Sequence, residues 1–394
     1  MVCPSKLRGK LFTTAAVDNI DHNTSSTSSH SSFHGTAISL VQHPSKNESG
    51  ISRAVDKVDP SKTSSSKTIS ELPSTYSDIA PMALPNNKLQ APAVPQHSLT
   101  SLETPSNGDT VYEEKDWLAH AQELVIKQKL DVKDFISWAA FRASKCLPST
   151  YIPAIITLLP MFPETSSSLA MIAHSMRVVK AAVQHLNPSQ IPVVALDQPL
   201  FALAKQIQWT LPEFDEDHFV IMLGGLHTEM AALKMLGKWL TGSGWSDIIC
   251  GAGVATQGVA ESFLTASHVA RTRRAHQVTA VSLHILTNKA YETSKIKVDK
   301  NDRPLSLEEW MKAMEKKSPT FLFWTLVQQL ELTCLCLVRA FRDENFSLYV
   351  DAIRKLLPWM FYDGSHQLFQ VVNRALSRHA CSVFQAPRSL QALQ

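Results

Sequence analysis

The sequence predicts a mostly α-helical protein with a small parallel β unit, an α/β arrangement preceded by a disordered amino-terminal segment. Two observations carry this prediction. Short apolar runs at residues 191–196 and 218–223 are each followed by helix-period sequence, the pattern of a βαβα unit with buried parallel strands. About three in ten of the first 110 residues are Ser or Thr. Such a segment buries too little apolar surface to offset the entropy lost on ordering, so we expect it to be disordered.

The domain organisation follows from these patterns. We expect a disordered Ser/Thr-rich segment over residues 1–110 and a purely helical region over 111–189. The central βαβα unit covers 190–250, a second helical region packed on it covers 251–385, and a short tail covers 386–394. Apolar spacing and Pro or Gly breaks predict a first helix that begins near residue 113. They predict further helical stretches over 131–147, 152–161, 165–186, 257–293, 305–316, 319–342, 346–361 and 366–384.

Composition excludes several classes of protein. The formal net charge of +3 is too close to balance to indicate nucleic acid by itself. The six cysteines include no C-x-x-C, which indicates reduced thiols in an intracellular protein, with nucleus and cytoplasm not distinguished. No uninterrupted apolar run approaches 18 residues, so we expect no membrane partner. The glycines near residue 244 match neither nucleotide-binding fingerprint, so no nucleotide cofactor is expected.

Asp197 is the candidate catalytic and metal-binding residue. It follows the first predicted strand, and ligands of open α/β sheets bind at the carboxyl ends of strands. Its carboxylate suits a hard divalent cation, Mg²⁺ or Mn²⁺, which we expect only if the protein is an enzyme. The alternative is that Asp197 caps the helix beginning near Pro199.

His227 and Glu229 follow the second strand and are candidates to support Asp197. Their side chains share a face if this segment is extended, and point about 200° apart if it is helical. The apolar spacing favours the helix and so disfavours a metal shared by these two residues. His227 alone stays a candidate hydrogen-bond partner of Asp197.

A basic cluster provides the candidate nucleic-acid-binding residues: Arg271, Arg273, Arg274 and His276. The alternative is a solvated or internally paired face, because Arg273 lies well round the helix from the other two arginines. Glu331 is a further candidate for a supporting role. It lies on an apolar stripe, where a carboxylate needs a partner such as an Arg or His of a neighbouring helix, or a shifted pKa.

Residues 135–358 resemble a high-copy family of invertebrate predicted proteins whose function is not established and whose copy number is similar to that of mobile elements. The resemblance is carried by six stretches: I-S-W-A-A-F, L-N-P-S-Q-I-P-V-V-A-L-D-Q-P-L-F-A-L-A-K, M-L-G-G-L-H-T-E-M-A, S-H-V-A-R-T-R-R-A-H-Q-V-T, K-S-P-T-F-L-F-W and F-S-L-Y-V. The order of strand, Asp197, helix, Pro212, strand, His227 and helix is also similar to part of Mutator-like transposases.

The second resemblance implies a DDE-type phosphoryl-transfer core with an RNase H-like fold and a helical insertion. In such a core three carboxylates hold two divalent cations, and Asp197 would match the second acid. The first acid belongs on an earlier strand of a three-stranded meander, and the third on a helix beyond the insertion. The sequence before Asp197 is predicted helical or disordered, and the acidic segment of the family after Trp359 is absent here. The resemblance therefore implies a degenerate core with an incomplete cation site.

These observations favour a transposon-related intracellular protein that is catalytically incomplete and acts by binding nucleic acid or protein. Two alternatives stay open. One is an active metal-dependent nuclease or transposase that uses Asp197 with Glu229 or Glu331. The other is a structural helical interaction module in which Asp197 is a helix cap. The sequence selects neither a partner nor an oligomeric state.

Overall fold

The computed structural model describes residues 2–23, 32–53, 72–84, 111–127, 136–145, 152–296 and 305–362. They divide into two compact units. The first unit contains the described residues up to 84 together with 152–227, and the second contains 111–145 and 228–362. The described chain is mostly helical, as predicted. It also contains one mixed sheet of five strands, which is larger than the small parallel unit that the sequence predicts.

The first unit is built on the sheet. Its strands are β1 (Thr13–Asn23), β2 (Ser32–Gln42), β3 (Ile155–Leu158), β4 (Val193–Leu196) and β5 (Val220–Leu223). Their spatial order is β3-β2-β1-β4-β5. The strands β1, β2 and β3 pair antiparallel, whereas β4 pairs parallel with both β1 and β5. The predicted parallel pair is therefore confirmed as β4 and β5.

The strands β1 and β2 correct the prediction of disorder over residues 1–110. Ala15 and Val17 are buried, and their neighbours Thr14 and Ala16 point to the other face, which is the period-two pattern of a strand. This pattern occupies few residues within a long polar segment, so average composition concealed it. Residues 24–31, 54–71 and 85–110 of the same prediction lie outside the described residues.

The strand β3 corrects a second prediction, because residues 152–161 were expected to be helical. Pro153 and Pro160 flank this short run of β-branched residues, and proline disfavours a helix interior while permitting a short edge strand. The next predicted helix is confirmed, and it begins at Leu169 because the Ser168 hydroxyl accepts a hydrogen bond from the Met171 N–H at 3.1 Å.

The helices of the first unit cover one face of the sheet. They are α1 (Ser74–Ser77), α4 (Leu169–Leu186) and α5 (Gln198–Thr210), with a 3₁₀ turn over Pro212–Phe214. The helix α4 packs against β1, and α5 packs against β4 and β5. The face that they cover carries alternate strand residues, which are buried: Ala15, Val17, Ile38, Leu40, Val194, Leu196, Ile221 and Leu223.

The second unit is helical throughout its described residues. Its helices are α2 (Tyr112–Lys127), α3 (Trp138–Lys145), α6 (Gly225–Leu240), α7 (Trp245–Gly251), α8 (Gln257–Phe263), α9 (Val269–Lys295), α10 (Leu307–Lys317), α11 (Pro319–Arg342) and α12 (Phe346–Tyr362). The first three residues of α6 are assigned to the first unit, and the helix belongs to the second unit from Thr228 onward. The predicted single helix over 257–293 is thus two helices. The predicted helix over 366–384 and the tail over 386–394 lie outside the described residues.

A buried ionic network ties α2 to α11. The Arg339 guanidinium donates to both oxygens of Glu114 at 3.0 Å and to Glu113 at 2.9 Å. Arg142 of α3 pairs with Glu113 and with Asp343, which follows α11. Burial raises the pKa of Glu114, and Arg339 acts in the opposite direction. Because charges this deep are costly unless paired, the network fixes which faces of these helices meet.

The helix α11 is the one helix in the described chain that is long and apolar enough to cross a membrane by length and composition. Its most apolar window has a mean hydropathy of 1.6 and is 61% buried inside the protein. Core helices of soluble proteins pass the same test, and α11 buries Glu331 and Arg339 among its apolar residues. The feature is therefore weak evidence for a membrane segment.

Gly237 allows close approach of α6 to the chain that follows α8. A Cβ at this position would lie 2.0 Å from the carbonyl oxygen of Leu264, which is backbone and cannot rotate away. Gly237→Ala should therefore destabilise the protein by about 1–3 kcal/mol, the usual cost of overpacking, in urea unfolding followed by circular dichroism. Gly258→Ala is the matched control, because Gly258 is helical, exposed and has no neighbour within 4 Å. Equal stability of the two variants would contradict this account.

Candidate functional site

Asp197 lies where the sequence predicts, directly after β4 and at the start of α5. Its backbone is extended, and its Oδ1 accepts a hydrogen bond from the Leu200 N–H at 2.9 Å. Asp197 is therefore a helix cap, as one of the two sequence interpretations holds. The cap uses one carboxylate oxygen and leaves Oδ2 outside that bond, so capping does not exclude a ligand.

Asp18, in the middle of β1, is a second carboxylate close to Asp197 in the sheet register. The parallel ladder pairs Val17 of β1 with Leu196 of β4, and the next residues along the two strands are Asp18 and Asp197. Adjacent strands lie about 4.8 Å apart, and paired residues of parallel strands point to the same face. The register therefore puts Asp18 and Asp197 at neighbouring positions of adjacent strands, with Asp18 exposed and Asp197 half-buried.

Sequence reasoning missed Asp18 because it counted the first 110 residues as disordered. The signal that could have found it is local: a run of small and β-branched residues from Thr13 to Val17 directly precedes Asp18. The stretch from Val193 to Leu196 likewise directly precedes Asp197, although β1 continues past its aspartate and β4 does not.

Gly224 and His227 follow β5, the strand that pairs with β4 before Asp197. The Gly224 N–H donates to the Leu196 carbonyl at 2.8 Å, which places Gly224 beside Asp197 on the neighbouring strand. A Cβ on Gly224 would lie 3.6 Å from the His227 ring. His227 forms no hydrogen bond with Asp197, so that expectation from the sequence is not met. Within the part of the chain that the structure describes, no group of three His, Cys, Asp or Glu side chains could hold a metal ion.

Glu229 lies in helical sequence, as the apolar spacing predicted, and its carboxylate is committed to an arginine. Arg273 donates to both Glu229 oxygens, with Nε at 2.5 Å and Nη2 at 2.7 Å. Glu229 is buried, so this bidentate pair balances a charge that would otherwise be costly. The structure therefore corrects the assignment of Arg273 to a nucleic-acid-binding surface, and Glu229 is engaged elsewhere than at a cation site.

Arg271 and Arg274 remain exposed on α9, three residues apart on one face. Arg274 makes a long hydrogen bond of 3.4 Å with Gln277. His268, the residue before the helix, is also exposed. These side chains form a small basic face at the amino-terminal end of α9.

His276 is buried, whereas a nucleic-acid-binding residue must be exposed. The structure therefore corrects its assignment to the nucleic-acid-binding surface. Its Nδ1 lies 2.9 Å from Oε1 of Glu331, and its ring stacks on Trp245 with ring centroids 5.1 Å apart. Trp245 is held in turn by Thr279, whose hydroxyl accepts from its Nε1 at 2.8 Å. Glu331 thus finds a histidine partner on a neighbouring helix, the arrangement expected for a carboxylate on an apolar stripe.

Burial disfavours charge on both members of this pair. It lowers the pKa of His276 to about 3 and raises the pKa of Glu331 well above its usual range. Burial therefore favours the neutral forms of both side chains, in which the protonated carboxyl of Glu331 donates to Nδ1 of His276. Nε2 of His276 and Oε2 of Glu331 have no hydrogen-bond partner. The pair belongs to the interior packing of the second unit.

Comparisons with known proteins add one partial match. Residues 137–307 match the model of a family described as Domain of unknown function (DUF8702). No curated protein matches the chain, and no solved structure matches it either. The matched residues include Asp197 and the basic face of α9, whereas Asp18 lies before them.

The shared proton of Glu331 gives a test by pH. Because the folded pKa of Glu331 is raised, the stability contributed by its proton is complete below about pH 4.5 and is lost as pH rises through the folded pKa. Glu331→Gln keeps a donor to His276 at every pH. The unfolding free energy of the wild type relative to this variant should therefore fall with rising pH, by at most about 1.4 kcal/mol per pH unit.

Urea unfolding between pH 4.5 and 8 measures this difference. Glu308→Gln is the control: Lys312 lowers the pKa of the exposed Glu308, so its contribution is complete above about pH 4.5 and the difference between the wild type and this variant should stay constant over this range. A wild-type advantage over Glu331→Gln that grows with pH would mean that Glu331 is ionised in the folded protein.

Proposed function

We propose that this chain is a transposase-related nucleic-acid-binding protein whose sheet holds one divalent cation between Asp18 and Asp197. The observation that carries the proposal is the placement of the two aspartates on adjacent parallel strands, with Asp18 in the middle of β1 and Asp197 directly after β4. Carboxylate oxygens are the preferred ligands of Mg²⁺ and Mn²⁺, and a paired sheet holds its ligands in fixed positions.

The sheet supports the relation to transposases. The resemblance implies a first acid on a strand of a three-stranded meander, placed before the second acid in sequence. Here β1, β2 and β3 form such a meander, Asp18 lies within β1, and β4 lies parallel beside β1. The order of strands and the position of Asp18 thus agree with an RNase H-like core, which we propose for the first unit.

Cation-dependent binding is favoured over cleavage because no third acid joins Asp18 and Asp197 among the described residues. Glu229 is paired with Arg273, and Glu331 is paired with His276. Two cations about 4 Å apart need more carboxylate oxygens than Asp18 and Asp197 supply.

In this proposal the chain's own groups act in two ways. The Asp18 and Asp197 carboxylates balance most of the charge of one cation, whose open positions accept phosphate oxygens of a nucleic acid. Arg271 and Arg274 in the second unit contact the phosphate backbone without reading sequence. Cleavage is the second candidate function, and the presence of Asp18 beside Asp197 is the observation that favours it.

Removal of either aspartate charge should weaken cation binding. Asp18→Asn and Asp197→Asn should each lower the Mn²⁺ affinity measured by calorimetry or electron paramagnetic resonance at least about tenfold, the lower end for partners that tune a metal. Asparagine at 197 can still cap α5, so the loss reports the charge and not the helix. Asp217→Asn, an exposed acid of the same unit, is the control and should bind Mn²⁺ like the wild type.

Labelled single- and double-stranded DNA with Mg²⁺ or Mn²⁺ separates the two candidate functions. Equal Mn²⁺ affinity in all four proteins would remove the cation site and the proposal with it. Metal-dependent cleavage that is lost in Asp18→Asn and Asp197→Asn but kept in Asp217→Asn would replace binding by the nuclease function.

The basic face makes a separate prediction about salt. Arg271→Ala combined with Arg274→Ala should weaken binding of unrelated DNA sequences by a similar factor and reduce the salt slope by about one to two, because two phosphate contacts are lost. Arg273 stays unchanged in this experiment, since its removal would leave Glu229 buried without a partner. The exposed pair Lys316 and Lys317 on α10, both changed to Ala, is the charge-matched control. An effect of the same size in the control would assign the loss to net charge.

A further inference from the structure

A short segment, Leu72–Leu84, lies on the first unit through one buried side chain. Its single helical turn, α1, contains Tyr76, which is 4% exposed, whereas Ser74, Thr75, Ser77 and Asp78 around it are exposed. The segment pairs with no strand of the sheet. Its attachment to the unit therefore depends on the surroundings of Tyr76.

The Tyr76 pocket recognises both the side chain and the backbone. The ring stacks on Phe162, with centroids 4.8 Å apart and planes 20° apart. The hydroxyl donates to the carbonyl oxygen of Pro160. His174 of α4 lies edge-on to Phe162, and its Nε2 donates to the carbonyl oxygen of Tyr76 at 2.7 Å. Burial also raises the pKa of the Tyr76 hydroxyl, which keeps it protonated as a donor.

The pocket itself is built from the sheet and α4, not from the segment. Phe162 exchanges two backbone hydrogen bonds of 3.0 Å with Thr36, which continues the pairing between β2 and β3. His174 lies in the middle of α4, a helix packed against β1. The groups that contact Tyr76 are thus held by elements that form without it. A preformed pocket that accepts one anchoring aromatic side chain is the usual design of a peptide-binding site.

We propose that Pro160, Phe162 and His174 form a recognition pocket for a short tyrosine-bearing peptide, and that segment 72–84 occupies it as an intramolecular, displaceable ligand. The occupant is this chain's own segment, joined to the rest of the protein through residues 54–71 and 85–110. Such joining gives an effective concentration on the order of millimolar, so a weak site is filled in the intact chain. The proposal is independent of the cation site.

The test uses a fluorescein-labelled peptide with the sequence of residues 72–84 and the full-length chain. In Tyr76→Ala the segment loses its anchor and leaves the pocket open, so the free peptide should bind it. Half-saturation should lie below about 1 mM, because the tethered segment fills the wild-type pocket only if the dissociation constant is below its effective concentration. In the wild type the peptide competes with the tethered segment and should bind at least about twofold more weakly, because the tethered segment fills at least half of the sites. Fluorescence anisotropy measures both affinities.

Variant peptides provide the controls without altering the fold. The peptide with Tyr76→Ala should not bind either chain, because the ring that stacks on Phe162 is missing. The peptide with Tyr76→Phe should bind the Tyr76→Ala chain more weakly than the native peptide, because it keeps the ring and loses the hydrogen bond to Pro160. Amide exchange of Tyr76, Ser77 and Asp78 in the intact wild type should be faster than exchange in β1.

Three outcomes would overturn the proposal. Failure of the native peptide to bind the Tyr76→Ala chain would mean that the pocket has no affinity of its own. Equal binding to both chains would place the peptide at a different site. A Tyr76→Ala chain that no longer unfolds cooperatively by circular dichroism would make the segment an integral part of the fold and not a ligand.

Discussion

The parallel pairing of β1 with β4 is the constraint on which the first unit depends. It joins an amino-terminal hairpin to a strand that lies far along the chain, and side-chain amides set its position. Gln190 accepts from the Thr13 N–H at 2.9 Å and donates to the Thr13 carbonyl at 2.6 Å, as a neighbouring strand would. Gln42 donates to the Thr13 hydroxyl at 2.9 Å. A slip of one residue would turn Asp18 to the opposite face, so this register also defines the carboxylate pair.

The same residue types serve packing and function in this protein, and only their surroundings separate the two. Asp197 ends a strand, caps a helix and keeps one carboxylate oxygen outside the cap. In the sequence, Glu229 and Glu331 are equally plausible ligands for a cation. In the structure each is buried against a side chain of α9, Glu229 against Arg273 and Glu331 against His276. Arg271 and Arg274 differ from Arg273 in the same way, since they are exposed and it is paired. Burial thus divides the candidate residues into a proposed cation site, a basic face and an interior.

The pocket for Tyr76 illustrates another consequence of the sheet. The prolines around β3 limit it to a short edge strand, and the chain beyond that strand then continues its pairing through Phe162. This places an aromatic side chain at the margin of the sheet, where α4 supplies His174 beside it. The pocket therefore arises from the way the edge of the sheet ends, and the sheet supports two separate candidate sites.

The sequence by itself determined the elements whose signals are local. Apolar spacing and caps placed most of the helices and the strands β4 and β5, and a strand end marked Asp197, because periodicity and capping act within a few residues. The tertiary structure decided which residues meet. The pairing of Thr13–Val17 with Val193–Leu196, and so the place of Asp18, depends on contacts between residues distant in the chain. The burial of His276 and the pairing of Arg273 with Glu229 are equally nonlocal, because a helix face becomes interior only when another helix covers it.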